Sequence, residues 1–216
     1  MAKTEHHVPP RIRDAAKDLL QWWIPAGRFA WRLSCNQVAL TFDDGPVASV
    51  TPVILDILAK HDVKATFFVI GARAERCPEL LRRIVAEGHG LGSHTYDHLE
   101  VVGLNQAQLM QQLERGRLAI RDACGQDSML FRPPRGRMDL TSLRRITRLG
   151  YRVVHWSRTY SDYRQDGVAA LLARIDEVPI RARDIVLLHD VYEDTAQALA
   201  TILPRWRAAN TSFATL

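Results

Sequence analysis

The pattern of apolar and polar positions alternates between two periods along most of the chain. Short runs of apolar and β-branched residues predict strands at 38–42, 64–70, 89–93, 129–132, 151–156 and 184–189. Between these runs, apolar residues recur at three- and four-residue steps and predict helices at 50–60, 78–87, 105–123, 139–149, 167–177 and 194–209. Strands and helices that alternate in this way predict an α/β protein with a parallel sheet, open or closed into a barrel.

The N-terminal stretch has its own amphipathic pattern. Residues 11–24 predict a helix that ends at Pro25, with an apolar face of Ile12, Ala15, Ala16, Leu19 and Trp23. Four aromatic residues lie among basic residues at the end of this helix or shortly after it, namely Trp22, Trp23, Phe29 and Trp31. Such a helix either packs on the domain or lies in a membrane interface. We favour packing, because Asp14 and Asp18 dilute the basic face.

Length and composition predict one globular domain. The chain has 216 residues, of which 47% are apolar and 25% charged. We divide it into an N-terminal tail and helix over 1–35 and a single domain over 36–216. No apolar run is long enough to predict a transmembrane helix, and no secretory signal is visible. We therefore expect a cytoplasmic protein, with membrane association through residues 11–32 as an open alternative.

Charge and cysteine content limit the classes of partner and the redox compartment that we expect. The formal net charge is +5, and residues 1–32 hold six Lys/Arg against three acids. This bias favours anionic partners, including lipid head groups, but no nucleic-acid-binding motif is present, so we expect no nucleic acid partner. Cys35, Cys77 and Cys124 are odd in number and without a Cys-x-x-Cys pair. We expect free, buried or half-buried thiols in a reducing compartment.

Polar residues that could take part in catalysis or metal binding fall just after the predicted strands. In a closed parallel barrel the carboxyl ends of the strands share one face, where active sites are built. The residues at these positions are Asp43, Asp44, His94, His98, Arg132, Asp162 and His189.

The spacing of these residues predicts a division of labour. Successive strand side chains point to opposite faces, so Asp43 and Asp44 are expected to differ in role, one binding a metal and the other moving a proton. His94 and His98 are four residues apart and reach one ion if the chain after Ser93 turns helically. Two histidines and one carboxylate leave open positions for water and substrate, which suits Zn²⁺, although other divalent ions remain open.

Four motifs together resemble a known family. They are Thr41-Phe42-Asp43-Asp44-Gly45-Pro46, His94-Thr95-x-x-His98, Arg132-Pro133-Pro134-x-Gly136 and Leu187-Leu188-His189-Asp190. In this order, over about residues 36–216, the chain resembles the NodB-type polysaccharide deacetylases of carbohydrate esterase family 4. The resemblance implies a distorted (β/α) barrel, here with an added N-terminal helix. It also implies metal-dependent removal of N-acetyl groups from an N-acetylated sugar, such as an N-acetylglucosamine oligosaccharide, polysaccharide or lipid-linked sugar.

The resemblance implies a role for each motif residue. Asp43 resembles the base that deprotonates the attacking water, and His189 resembles the acid that protonates the leaving amine. Arg132 resembles the arginine that pairs with the base, and Asp162 the carboxylate that orients the acid. The metal ligands implied in the same way are Asp44, His94 and His98, and the backbone N–H that stabilises the oxyanion is implied at Arg135.

Two motifs depart from the family pattern. Arg135 stands where the family usually has Tyr, and its added cation either favours an anionic substrate group or points to solvent. The fourth motif keeps Asp162 but lacks its first acid, and Tyr163 stands where the family has Trp. Trp156 precedes this motif on the strand, as in relatives. We expect Tyr163 and Trp156 to contact substrate.

Three functions remain as alternatives. The first is an active metal-dependent N-deacetylase, which the intact set Asp43, Asp44, His94, His98 and His189 favours; we expect it to be a monomer. The same machinery hydrolyses any well-placed amide, so a non-sugar substrate is the second alternative. The third is a non-catalytic carbohydrate-binding relative, which we would expect to have lost the base or a metal ligand.

Overall fold

A computed structural model describes residues 27–216 of the chain. The helix predicted over 11–24, and with it most of the stretch 11–32 considered for membrane contact, lies outside these residues. The described chain forms one parallel sheet of eight strands in the order β1-β6-β5-β4-β3-β2-β8-β7. The strands are β1 Phe29–Ala30, β2 Ala39–Asp43, β3 Thr66–Val69, β4 Gly90–Ser93, β5 Leu130–Phe131, β6 Arg152–Val154, β7 Arg158–Thr159 and β8 Ile185–His189.

Helices connect most of the strands. They are α1 Thr51–Lys60, α2 Gly71–Arg76, α3 Pro78–Ala86, α4 Gln106–Cys124, α5 Leu140–Arg148, α6 Val168–Glu177 and α7 Glu193–Ala208. Short 3₁₀ turns occupy Pro134–Gly136 and Asp162–Arg164. Helix α4 packs on α2 and α3, and α7 packs on α1 and α6. None of the helices in the described part of the chain is long and apolar enough to cross a membrane.

The sheet curls far enough for its two edges to approach each other. Arg32, just after β1, forms an isolated bridge with Asp184, just before β8, and the Leu33 N–H donates to the Arg183 carbonyl at 2.8 Å. The buried Asp184 carboxylate accepts from Ser157 Oγ at 2.7 Å and lies 3.3 Å from Arg32 Nη1. These contacts confirm the distorted barrel, because they join residues next to β1, at one end of the strand order, to residues next to β8, one strand from the other end.

Apolar side chains of the central strands form the core. Phe42 of β2 stacks on Phe67 of β3 at 5.1 Å between ring centroids, and both are fully buried. Burial of an apolar side chain of this size contributes roughly 1.5–3 kcal/mol to folding. The strands are buried along nearly their whole length, which explains the continuous apolar runs of the sequence.

The structure differs from the sequence prediction in four places. Strand β1 extends the sheet N-terminal to residue 36, and β7 lies in a stretch predicted to be a polar loop; both have two residues and depend on partner strands. Helix α2 was not predicted; it begins at Gly71, where a Cβ would lie 2.9 Å from the Gly116 Cα. The three cysteines are free, but Cys35 is exposed rather than buried.

Candidate active site

Asp43 ends β2 in a buried ion pair with Arg132. Arg132 Nη1 lies 2.7 Å from Asp43 Oδ1 and donates at the same distance to Thr41 Oγ1. The guanidinium also donates to the Val154 and His155 carbonyls at 3.2 Å. Burial lowers the pKa of Arg132, while the charge of Asp43 raises it. The partners of Arg132 thus hold Asp43 in one orientation and leave its Oδ2 free toward the site.

Asp44 leaves the extended conformation immediately after Asp43. Its φ of 75° lies in the left-handed region, which is uncommon for a residue other than glycine. This turn brings its Oδ1 to 3.4 Å from His94 Nε2 and 3.2 Å from His98 Nε2. Burial opposes ionisation of Asp44, but the close approach of His98 Nε2 and the charges of nearby histidines outweigh it and lower the pKa to about 2.

The two histidines meet through a turn rather than a helix. The helical turn that the sequence analysis considered after Ser93 does not form, because Thr95 and His98 both have positive φ, at 65° and 58°. The imidazole centroids of His94 and His98 nevertheless lie 5.1 Å apart. His94 Nδ1 donates to the Arg132 carbonyl at 2.8 Å, which leaves Nε2 as the free ligand atom. Burial lowers the pKa of His94, so the ring favours the neutral form that binds metals.

These side chains fit a divalent metal. Ligand atoms of Asp44, His94 and His98 all lie within 4.8 Å of one another. The buried Asp44 Oδ1 accepts no hydrogen bond of normal geometry from residues 27–216, which leaves its lone pairs for an ion. A His₂-carboxylate set keeps further coordination positions open, as catalytic metal sites do.

His189 lies opposite these groups at the end of β8. Asp43 and His189 occupy the same register position on neighbouring strands β2 and β8. Asp162 Oδ1 accepts from His189 Nδ1 at 2.8 Å, and Asp162 Oδ2 accepts from the His189 backbone N–H at 2.7 Å and from Thr195 Oγ1 at 2.9 Å. Burial opposes protonation of His189, but Asp162, with the charges of Asp43 and Asp44, raises its pKa to about 9.

The Arg135 side chain points away from the buried groups. Its Nη1 lies 2.8 Å from Glu100, and Arg137 Nη1 lies 3.1 Å from the same carboxylate. Both arginine side chains remain about two-thirds exposed, at 69% and 68%. The Arg135 backbone has a φ of 56°, and the turn closes through the N–H groups of Gly136 and Arg137, so the Arg135 N–H is not used to close it.

Aromatic rings border the same region. Trp156 stacks on His155 at 5.2 Å between centroids and lies beside the Arg132 guanidinium at 5.7 Å. Tyr163 is 52% exposed and meets His189 edge-on at 6.2 Å, and Tyr192 lies 5.7 Å from the same ring. Tyr192 was not predicted, because nothing in its sequence context distinguishes it from a helix-start residue.

Three further contacts support the site without a clear sequence signal. Arg73 of α2 donates to the Asp44 carbonyl at 2.9 Å. The buried Asp190 carboxyl accepts from Thr51 Oγ1 at 2.7 Å and lies against the backbone of Gly45. Burial raises the pKa of Asp190 to about 7. These residues fix the loop that carries Asp43 and Asp44.

Comparison with known proteins gives the same picture as the motifs. A family model for polysaccharide deacetylase matches residues 32–154. A peptidoglycan-N-acetylglucosamine deacetylase of Bacillus cereus is 34% identical over 199 residues, which cover 89% of this chain and 92% of that protein. Another, PgdA of Listeria monocytogenes, is 36% identical over 185 residues; these cover 84% of this chain but only 38% of the length of PgdA.

A solved structure extends the comparison to three dimensions. The crystal structure of the Bc1960 peptidoglycan N-acetylglucosamine deacetylase superposes with a TM-score of 0.82 at 29% identity. The match covers 90% of this chain and 95% of that one. Fold, motif order and family model agree, and the chain therefore belongs to the polysaccharide deacetylase family.

Proposed function

We propose that this chain is a metal-dependent hydrolase that removes N-acetyl groups from an N-acetylglucosamine-type sugar. One observation carries the proposal: a buried aspartate–arginine pair and an aspartate–histidine pair lie beside a cluster of two histidines and an aspartate. The pairs are Asp43–Arg132 and Asp162–His189, each joined at 2.7–2.8 Å. Relatives named as deacetylases of N-acetylglucosamine in peptidoglycan support the choice of substrate class.

Asp44, His94 and His98 would hold the metal. When bound, a divalent metal such as Zn²⁺ polarises the acetyl carbonyl and lowers the pKa of a nearby water. Asp43 Oδ2, free of the Arg132 contact, accepts the proton of the attacking water. Because Arg132 is buried and multiply bound, it keeps Asp43 from rotating and supplies a positive charge beside it.

His189 delivers a proton to the leaving amine. Its Nδ1 is occupied by Asp162, so Nε2 is the nitrogen that faces the site. A pKa raised to about 9 keeps the ring protonated at neutral pH, the form that an acid needs. Asp43 and His189 share one register position, so base and acid stand on adjacent strands beside one substrate carbonyl.

Groups around this centre would bind the sugar. The Arg135 backbone N–H is available to stabilise negative charge on the acetyl oxygen, and this role survives the replacement of Tyr by Arg. Tyr163, with half of its surface exposed, and Trp156 offer aromatic faces to a sugar ring. The Arg135 guanidinium, held by Glu100, stays at the rim and would meet only substituents that extend beyond the acetylated sugar.

Acetate release tests the proposal directly. The full chain, loaded with Zn²⁺ or another divalent ion, is assayed on N-acetylglucosamine oligomers and on peptidoglycan, with metal content measured in parallel. We expect acetate release that a chelator abolishes and metal restores. Full metal content with no release from any N-acetylated sugar would contradict the proposal. Binding without turnover would indicate a carbohydrate-binding protein, and release from non-sugar amides alone would indicate a different amide hydrolase.

A further inference from the structure

We propose that the surface around α5 is a docking face for an anionic lipid bilayer. We define this α5 surface by its exposed apolar residues Leu99, Val102, Met110, Leu140 and Leu149 and its exposed arginines Arg135, Arg137, Arg144 and Arg148. It is separate from the N-terminal stretch considered in the sequence analysis, and it does not depend on the deacetylase reaction.

The apolar side chains of the α5 surface are concentrated to an unusual degree. Among residues 27–216, eight large apolar side chains are exposed, and five of them belong to this surface. Leu99 and Val102 lie in the loop after His98, at 47% and 44% exposure, and Leu140 begins α5 at 43%. Clustered exposed apolar groups mark interaction sites, whereas scattered ones need no explanation.

Contacts between the segments make this one continuous face. The Ser142 Oγ of α5 donates to the Val101 carbonyl at 3.2 Å, and Arg145 Nη1 donates to the Leu104 carbonyl at 3.3 Å, so the 99–104 loop lies along α5. At the other end of the helix, Met110 and Leu149 line one shallow cavity of about 130 Å³.

The charge of this face is positive, although Glu100 pairs with Arg135 and Arg137. The stretch 133–152 contains six arginines and one acid, Asp139, which caps α5 through the Ser142 N–H. Other helices pair exposed arginines with acids, for example Arg82 with Glu79 at 2.6 Å and Arg205 with Asp176 at 2.5 Å. By contrast, neither Arg144 nor Arg148 forms an ion pair within residues 27–216.

This combination favours a lipid surface over other anionic partners. Arginines attract anionic head groups, and each contributes roughly 1 kcal/mol near such a surface, about a 5-fold change in partition. Exposed leucines favour binding only where their side chains are removed from water. A lipid interface removes them from water, whereas a soluble polyanion does not. The face also includes Leu99, next to His98, and Arg135, so docking would turn the mouth of the candidate active site toward the membrane.

Vesicle sedimentation of the full chain tests this proposal. The vesicles contain phosphatidylcholine alone or mixed with phosphatidylglycerol. We expect binding only to the mixture, weakened about 25-fold by the double variant Arg144→Gln/Arg148→Gln, because two arginine contributions are lost. The charge-matched control is Arg121→Gln/Arg205→Gln, on α4 and α7, which should bind within about 3-fold of wild type because long-range attraction is screened.

A second pair of substitutions separates lipid from polymer. Leu99→Ser/Leu140→Ser should weaken vesicle binding at least about 10-fold while leaving binding to soluble dextran sulfate unchanged. Equal loss in the two arginine variants, or no binding to anionic vesicles by wild type, would overturn the proposal. Vesicle binding that the serine variant retains in full would overturn it in favour of an anionic polymer. All variants alter exposed side chains, and their urea midpoints would verify folding.

Discussion

Asp162 contacts His189 twice, once at the ring and once at the backbone. Its Oδ1 accepts from His189 Nδ1 at 2.8 Å and its Oδ2 from the His189 N–H at 2.7 Å. One carboxylate therefore fixes both the position and the charge of the imidazole. A 3₁₀ turn after β7 supplies this carboxylate to the end of β8, so the pair depends on two neighbouring strands of the sheet.

This contact predicts the alkaline limit of activity. If protonated His189 is the acid, activity is present below its pKa of about 9 and lost as pH rises through that value. Asp162→Asn removes the charge that raises the pKa, while burial continues to lower it. The alkaline limb of kcat/KM should therefore move to near or below the ordinary value of 6.5. Thr195→Val removes one hydrogen bond to Asp162 but no charge, and should shift the limb less. An unchanged limb in Asp162→Asn would contradict the assigned acid.

The roles of Asp43 and His94 predict that only substitution of His94 lowers the metal content. Asp43→Asn should lower kcat by roughly 10²–10⁴ and retain the metal, because it removes a base and no ligand. His94→Ala should lose the metal together with activity, because it removes a ligand nitrogen. Metal analysis of both purified proteins checks this difference. Equal metal loss in the two variants would refute the division of labour.

The same Asp43 substitution should also cost stability. Arg132 is fully buried, and Asp43→Asn leaves its charge without an ionic partner. Breaking a buried pair from one side typically costs roughly 3–5 kcal/mol. The double variant Asp43→Asn/Arg132→Met removes both charges and should recover part of the loss in the free energy of urea unfolding. If the double variant lost more unfolding free energy than the two single variants lose together, this would argue against the pair.

His89 predicts a pH dependence of stability away from the active site. Burial, with a smaller contribution from Lys64, lowers its pKa to about 4, and its Nδ1 accepts from the Ala65 N–H at 3.1 Å. In the unfolded chain the pKa is near 6.5, so the unfolded state binds the proton first. The contribution of neutral His89 to the free energy of unfolding is therefore full above pH 6.5 and is lost as pH falls through 4. The total loss is at most about 3 kcal/mol.

Substitution of His89 isolates its contribution to the pH dependence of stability. His89→Asn keeps an acceptor for the Ala65 N–H but does not titrate, so its unfolding free energy should fall less between pH 6.5 and 4 than that of wild type. The same slope in His89→Asn and wild type would contradict this assignment.

Gly45 predicts a steric limit on the loop that carries the two aspartates. A Cβ at this position would lie 1.9 Å from the Asp190 carboxylate, which is itself fully buried. Gly45→Ala should therefore displace Asp190 and the adjoining His189, with a loss of about 1–3 kcal/mol and reduced turnover. At Gly103 no atom lies within 4 Å of an added Cβ, but its φ of 81° strains an alanine, so Gly103→Ala serves as a control for turnover only, which it should keep. A wild-type urea midpoint and turnover in Gly45→Ala would contradict the contact.

The sequence by itself determined the order of the strands and helices and the family. Buried strands such as β2 and β8 appear as continuous apolar runs, and helices such as α4 repeat at helical spacing, because side-chain burial imposes these periods locally. The motifs around Asp43, His94, Arg132 and His189 are each short and contiguous, so they could be recognised without any knowledge of long-range contacts.

Tertiary structure alone decided how the motif residues meet. Two-residue strands such as β1 and β7 carry almost no pattern of their own and exist because neighbouring strands complete their hydrogen bonds. The left-handed backbone at Asp44 and His98 depends on the packing of whole loops, which the spacing of the motif residues in the sequence does not reveal. Likewise, the exposed arginines and leucines around α5 look like ordinary surface positions in the sequence. They form one face only because segments distant in the chain fold against each other.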